Sequence, residues 1–91
     1  MIVYYLQRQR WDMKPSSMFG QYEYGWVDCK FQDRTLTKAF TNISKLNKYV
    51  SETYKLKDVH FKNIKIGGVE EIQYITPMDR YKLIVRKQEL N

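Results

Sequence analysis

The sequence contains very few of the residues that mark secreted, metal-binding or membrane-spanning proteins. Only one of its 91 residues is cysteine and only one is histidine. A single cysteine excludes an internal disulfide, and this pair cannot supply the usual ligand set of a zinc site. No run approaches the roughly 18 apolar residues of a membrane span, and Ile2 to Leu6 is too short for a signal-peptide core. These absences predict a soluble, cytoplasmic protein without a metal or other cofactor.

Residues that would carry catalysis are also missing. The one histidine, His60, is flanked on the predicted strand by Val59 and Phe61, and neither neighbour is a nucleophile or a carboxylate. The spacing of Gly20 and Gly25 resembles a phosphate-binding loop, but the lysine and hydroxyl residue that such a loop requires do not follow. We therefore expect a protein that is not an enzyme.

The residues that are present predict one small folded domain over 1–91. Hydrophobic residues make up 43% of the chain and aromatic residues 15%, which excludes a disordered chain. Eight tyrosines and two tryptophans contribute most of the aromatic content. Large amphipathic rings are common both in small cores and at binding surfaces.

Positive charge is concentrated in the middle of the chain. Residues 34–66 contain eight lysine or arginine residues and two acidic ones, which accounts for the whole net charge of +6. The segments before and after are each balanced. A basic segment of this kind indicates a surface that meets an anionic partner, although a lysine-rich helix face is often only solvated.

The first half of the chain predicts two strands and a helix. Strand Ile2–Arg8 has apolar residues on both faces, so we expect it to be central in a sheet. The segment from Trp11 to Gly25 shows no period and is predicted to be a loop, followed by a strand at Trp26–Phe31. The helix should begin after an N-cap at Asp33 or Thr35 and carry one apolar stripe, formed by Leu36, Ala39, Phe40, Ile43, Leu46, Val50 and Tyr54. Asn47 projects into that stripe and must find a buried partner.

The second half of the chain predicts three strands. Alternation from Val59 to Ile66, with a bulge near Lys62-Asn63, precedes a Gly67-Gly68 hairpin turn that would place Lys65 opposite Glu70. Strands 69–76 and 81–87 follow, joined by a turn at 77–80. The prediction is an α+β fold with a mostly antiparallel sheet, in the order β-β-α-β-β-β, and one amphipathic helix packed on one face.

Two sets of residues are candidates for binding. The first is a set of lysines for a nucleic-acid backbone or an acidic protein surface, which we call the lysine set: Lys38, Lys45, Lys48, Lys55, Lys57, Lys62 and Lys65. The second is a set of rings for base stacking or a protein partner: Trp11, Phe19, Tyr22, Tyr24 and Trp26. The rings serve equally well to cover one end of a small core. Arg8 and Arg10, with Arg86 nearby, are either a second basic contact or a solubilising strand end.

These features favour a small accessory protein that binds nucleic acid, RNA or single-stranded DNA rather than duplex. Signatures of duplex reading such as a helix-turn-helix are absent. Contact of five lysines with phosphates predicts a slope of about −3.5 to −4.5 in log K against log salt. The alternative is a protein-interaction module, an inhibitor or adaptor of a larger enzyme. A structural subunit that pairs through an exposed strand edge is a third reading.

Overall fold

A long central strand organises the sheet. The computed structural model describes residues 1–16, 20–31, 34–35 and 37–91. Strand β1 (Ile2–Pro15) pairs along one edge with β7 (Arg80–Glu89), which in turn pairs with the edge strand β6 (Val69–Ile75). All of these pairings are antiparallel. The expectation that the first strand is central is therefore confirmed, and the strand runs seven residues further than the sequence predicted.

The other edge of β1 is shared by two strands. Strand β2 (Tyr22–Asp28) pairs with its second half and β5 (Thr37–Phe40) with its first half. Between them the chain makes a separate two-stranded ladder from β3 (Lys30–Phe31) and β4 (Arg34–Thr35). The order of strands and helix in the main sheet is β-β-β-α-β-β, so the α+β prediction holds, but three strands precede the helix where the sequence predicted two.

The helix begins later than its apolar pattern predicted. Helix α1 covers Ile43–Tyr54, and its N-cap is Asn42, whose Oδ1 accepts from the backbone N–H groups of Ser44 and Lys45 at 2.7 and 3.4 Å. The predicted cap at Thr35 was wrong, because Thr35 lies in β4 and residues 37–40 complete the free edge of β1, whereas Asp33, the other predicted cap, lies outside the described residues. Of the predicted stripe, Phe40 lies in β5, Ala39 is exposed on that strand, and Leu36 lies outside the described residues.

The connection from α1 to β6 contains no strand, contrary to the alternation in the sequence. Phe61 and Ile64 are buried individually, and Asn47 supplies Phe61 with the hydrogen bonds that a neighbouring strand would give. The alternation of apolar and polar residues is interrupted at Lys62-Asn63, where the sequence predicted a bulge. In the structure Asn63 has a left-handed φ of 54°. A β-turn forms one residue earlier than the predicted Gly67-Gly68 turn, with Ile66 and Gly67 at its centre: the Gly68 N–H donates to the Lys65 carbonyl at 2.7 Å, and Gly67 has a φ of +80°. No strand leads into this turn. Glu70 therefore lies opposite Val85 and not opposite Lys65.

The core fills the space between the helix and one face of the sheet. Leu46 and Val50 of α1 contact sheet residues Leu6, Leu83 and Val85, and Phe61 and Ile64 complete the buried cluster. Since side chains alternate along a strand, this face of β7 carries the odd-numbered residues from 81 to 87. The predicted packing of one helix on one face of the sheet is confirmed. Among the described residues, no helix is long and apolar enough to cross a membrane.

Candidate nucleic-acid interface

The sheet face opposite α1, called the open face below, carries the tryptophans and most of the aromatic residues singled out in the sequence. The segment predicted to be a loop is in fact the end of β1 paired with β2, so it forms a long hairpin. Its register places Trp11 opposite Trp26 and Met13 opposite Tyr24. Because cross-strand partners point to the same side of a sheet, these four side chains share the open face.

The exposed area of these rings is large. Tyr22 and Tyr24 are 69% and 65% exposed and Trp11 is 37% exposed, whereas Trp26 is partly buried. The two tryptophan rings meet edge to face, with 5.3 Å between centroids and 74° between planes. This contact orders both rings while leaving part of Trp11 in solvent. Phe19, the fifth ring of the predicted set, lies outside the described residues.

Cations from β7 border the rings. The Nζ of Lys82 lies 4.5 Å from the centroid of Trp26, and the guanidinium carbon of Arg80 lies 6.0 Å from that of Trp11. Arg86 continues the same row and is exposed. Lys82 also forms a 3.6 Å ion pair with Glu71 of β6. A guanidinium or ammonium over an aromatic ring is held by the ring quadrupole, which fixes the charge beside the exposed rings.

Amide side chains occupy the middle of the open face. The Nε2 atoms of Gln7 and Gln9 donate to Oδ1 of Asp28 at 2.6 and 2.8 Å. These bonds hold both amides of β1 against the end of β2. The open face thus combines exposed rings and basic groups at one end with fixed hydrogen-bonding groups next to them.

The lysine set is exposed throughout but is distributed around several clefts. Lys38 lies on β5, with its Nζ 4.2 Å from the ring centroid of Tyr49. Lys45 and Lys48 lie one turn apart on α1. The other members, which are on the α1–β6 connection and at the helix C-cap, are Lys55, Lys57, Lys62 and Lys65. Lys48 lines one cavity with His60, and Lys62 and Lys65 line another. In the described part of the chain, none of the seven forms an ion pair.

A row of rings that the sequence did not indicate as a binding site follows the other side of the sheet. Neighbouring ring centroids lie 5.3–6.1 Å apart along this row, whose members are Phe40, Tyr49, Tyr54, Tyr74 and Tyr81. The guanidinium of Arg8 lies 5.2 Å from the Tyr54 centroid and 4.8 Å from that of Tyr81. Arg8 and Arg10 share this side, as predicted, but Arg86 points to the open face.

Burial and hydrogen bonding set the protonation of this row. Burial, followed by the neighbouring Tyr49, raises the pKa of Tyr54 to about 12. The pKa of Tyr74 is also raised, mainly by burial. Burial lowers the pKa of Arg8, but hydrogen bonds to Tyr74 and the Cys29 thiol outweigh it and leave that pKa raised. Arg8 is therefore a permanent cation held between neutral phenols.

The remaining titratable residues of interest lie apart from one another. His60 is exposed on the α1–β6 connection, and Cys29 lies next to Arg8 at the end of β2. Within the residues that the structure describes, no three histidine, cysteine or acidic side chains come together as a possible metal site. Comparison with protein-family models finds no match, and neither curated proteins nor solved structures show significant similarity to this chain.

Proposed function

We propose that this protein is a non-enzymatic accessory protein that binds single-stranded nucleic acid, RNA or DNA, on the open face of its sheet. The observation that carries the proposal is the exposure of Trp11, Tyr22 and Tyr24 on one face of the antiparallel sheet, with Arg80 beside Trp11 and Lys82 beside the neighbouring Trp26. Exposed rings on a sheet stack on unpaired bases, and adjacent cations neutralise the phosphates between those bases.

The free energies expected for stacking and for charge pairing indicate that the rings contribute more to the affinity than the basic residues do. Stacking of one base on an aromatic side chain is worth about 1–3 kcal/mol, so two engaged rings supply roughly 2–6 kcal/mol. The three basic residues of the open face, Arg80, Lys82 and Arg86, add a smaller electrostatic contribution because Lys82 already pairs with Glu71. The net charge of +6 assists the approach of any polyanion.

Salt dependence separates the open face from the lysine set. Three phosphate contacts on a single strand predict a slope near −2 in log K against log salt, whereas five lysine contacts predict about −3.5 or steeper. A triple substitution, Lys38/Lys45/Lys48→Glu, should slow association and reduce affinity modestly if the open face binds. Loss of all binding in that variant would assign the interface to the lysine set.

The decisive comparison uses fluorescence anisotropy with short labelled oligouridine, oligothymidine and a duplex of the same length. Replacing Trp11 and Tyr24 together with alanine should weaken single-strand binding at least about 30-fold, the equivalent of 2 kcal/mol. The matched control replaces both with phenylalanine, which retains a ring and should stay within a few-fold of wild type. Equal binding by the alanine and phenylalanine variants would refute the proposal.

A protein-interaction module is the second candidate, favoured by a separate observation. Ile75 and Met13 are 76% and 56% exposed on the open face, and neither offers a ring to a base. Exposed apolar side chains beside tryptophan and arginine are typical of protein interfaces. Under this candidate, Ile75→Ser abolishes partner capture, while oligonucleotide binding is weak in the wild type as well.

A further inference from the structure

We infer that the cleft between α1 and the sheet, on the side opposite the open face, binds a small anionic ligand of nucleoside monophosphate type. This Arg8 cleft has a volume of about 400 Å³ and is lined by Leu6, Arg8, Thr37, Lys38, Tyr49 and Tyr54. A volume of this order is typical of small-molecule sites, which are mostly apolar with a few polar groups.

The first observation is a half-buried arginine without a carboxylate. In residues 1–16, 20–31, 34–35 and 37–91, no aspartate or glutamate forms an ion pair with Arg8. Its contacts include the faces of the Tyr54 and Tyr81 rings, whose centroids lie 5.2 and 4.8 Å from the guanidinium carbon, and the neighbouring Tyr74 and Cys29 raise its pKa. A ring face holds the cation without occupying its five N–H donors in directed hydrogen bonds. A partly desolvated cation with unused donors is well suited to an anion.

A second cation lies in the same cleft. Lys38 is exposed on β5 and also lines this cavity, with its Nζ 4.2 Å from the Tyr49 centroid. Arg8 continues into a second cavity of about 290 Å³, where Arg10 and Lys30 are further basic residues. Two cations at one cavity favour a doubly charged group such as a phosphate monoester, since guanidinium and ammonium groups bind phosphate oxygens well.

The apolar walls indicate what the anion is attached to. Tyr49 and Tyr54 meet at 90° with 6.0 Å between ring centroids, and Leu6 is buried on the sheet side. Two perpendicular rings and a leucine give a flat aromatic group one surface to stack on and one edge to abut. A nucleobase attached to a phosphate through a sugar has both required parts, whereas inorganic phosphate has only one.

The test is titration of the full chain with adenosine monophosphate, adenosine and inorganic phosphate, followed by isothermal calorimetry and amide chemical shifts. Adenosine monophosphate should bind at least about tenfold more tightly than either fragment, because stacking and charge pairing each contribute. The shifted amides should lie around Leu6, Arg8 and Tyr49. Equal binding of adenosine and its monophosphate, or shifts confined to Trp11 and Tyr24, would overturn the inference.

Variants complete the test. Arg8→Gln should weaken binding of the monophosphate at least tenfold and Lys38→Gln several-fold, while Lys14→Gln, at a lysine of β1 that does not line the cleft, should change nothing. If Arg8→Gln does not fold, Lys38→Gln decides, because an exposed edge residue is dispensable for the core. Oligonucleotide binding to the open face should survive Arg8→Gln, so the two proposals fail separately. A phosphotyrosine peptide that binds more tightly than the monophosphate would assign a protein ligand instead.

Discussion

Replacement of Asn47 by alanine should lower the free energy of unfolding more than most other substitutions of a single polar residue. Its Nδ2 donates to the Phe61 carbonyl at 3.1 Å, and its Oδ1 accepts from the Phe61 N–H at 2.8 Å. Both bonds span 14 residues of chain and attach the α1–β6 connection to the helix. The Phe61 side chain is 1% exposed, so its backbone groups have little room for replacement water.

The expected loss follows from those two bonds. Each contributes about 0.5–1.5 kcal/mol, and leaving the Phe61 groups unpaired adds about 1–3 kcal/mol. Alanine recovers roughly 0.5 kcal/mol through its higher helix propensity. The net destabilisation is about 1.5–5.5 kcal/mol, a large fraction of the total for a domain of this size. At about 4–8 °C per kcal/mol, the melting temperature should fall by at least about 6 °C.

Urea denaturation followed by circular dichroism measures this effect. The midpoint should shift while the slope with denaturant stays unchanged, since the fold buries the same surface. Lys48→Ala is the matched control, because it lies next to Asn47 on the same helix, is exposed and should change stability by less than about 0.5 kcal/mol. If Asn47→Ala and Lys48→Ala denature at the same urea concentration, the two hydrogen bonds between Asn47 and Phe61 do not stabilise the fold, and the prediction is wrong.

Three further outcomes are expected. Because the pKa of Tyr54 is raised to about 12, the folded state keeps a proton that the unfolded chain loses near pH 10, so unfolding free energy should fall as pH rises from 10 to 12. Tyr54→Phe should flatten that decline in urea titrations, and an unchanged pH profile would contradict it. Gly67→Ala should lower the free energy of unfolding by about 1–2 kcal/mol, measured by thermal denaturation, because a φ of +80° is strained for any residue with a Cβ atom. Equal stability of the variant and the wild type would contradict this turn conformation. Leu46→Ala should cost about 2–5 kcal/mol by the same melts, since the side chain is fully buried, and a loss below 1 kcal/mol would place it outside the core.

The sequence predicted the fold class and the elements whose periodicity is local. Strand β1 was predicted to be central because apolar residues occupy both of its faces, and in the structure Val3 and Leu6, which lie on opposite faces, are both buried. Strand β7 alternates as expected, with Leu83 and Val85 toward the helix. The side of the sheet on which each of these residues lies follows from the two-residue period alone, because successive side chains of a strand point to opposite faces.

Errors arose where one apolar pattern satisfied two structures. Phe40 fits a helical stripe with Ile43, but it also fits a strand, and the vacant edge of β1 beside Tyr4–Gln7 decides for the strand. Hydrogen bonds to a distant strand are not visible in a local window, so long-range pairing overrode the helical spacing. The same holds for Val59 to Ile66, where Asn47 replaced the strand neighbour that alternation implied.

The candidate sites were predicted unevenly for a similar reason. Composition directed attention to Trp11 and Trp26, but the glycines around them suggested a loop, and only the register of β1 with β2 shows that the rings share one face. Arg8 drew little attention in the sequence because its partners Tyr54, Tyr74 and Tyr81 come from the end of the helix and two later strands. Residues that come together from such distant parts of the chain form no recognisable motif in the sequence.

Tryptophan emission tests the central claim most directly. The chain has two tryptophans, Trp11 and Trp26, and both lie on the open face. Titration with unlabelled oligouridine or oligothymidine should quench this emission in a saturable way, because a base stacked on an indole provides close contact, and added salt should reverse it. If anisotropy shows the oligonucleotide bound while tryptophan emission stays unchanged, the binding surface lies elsewhere and the account is contradicted.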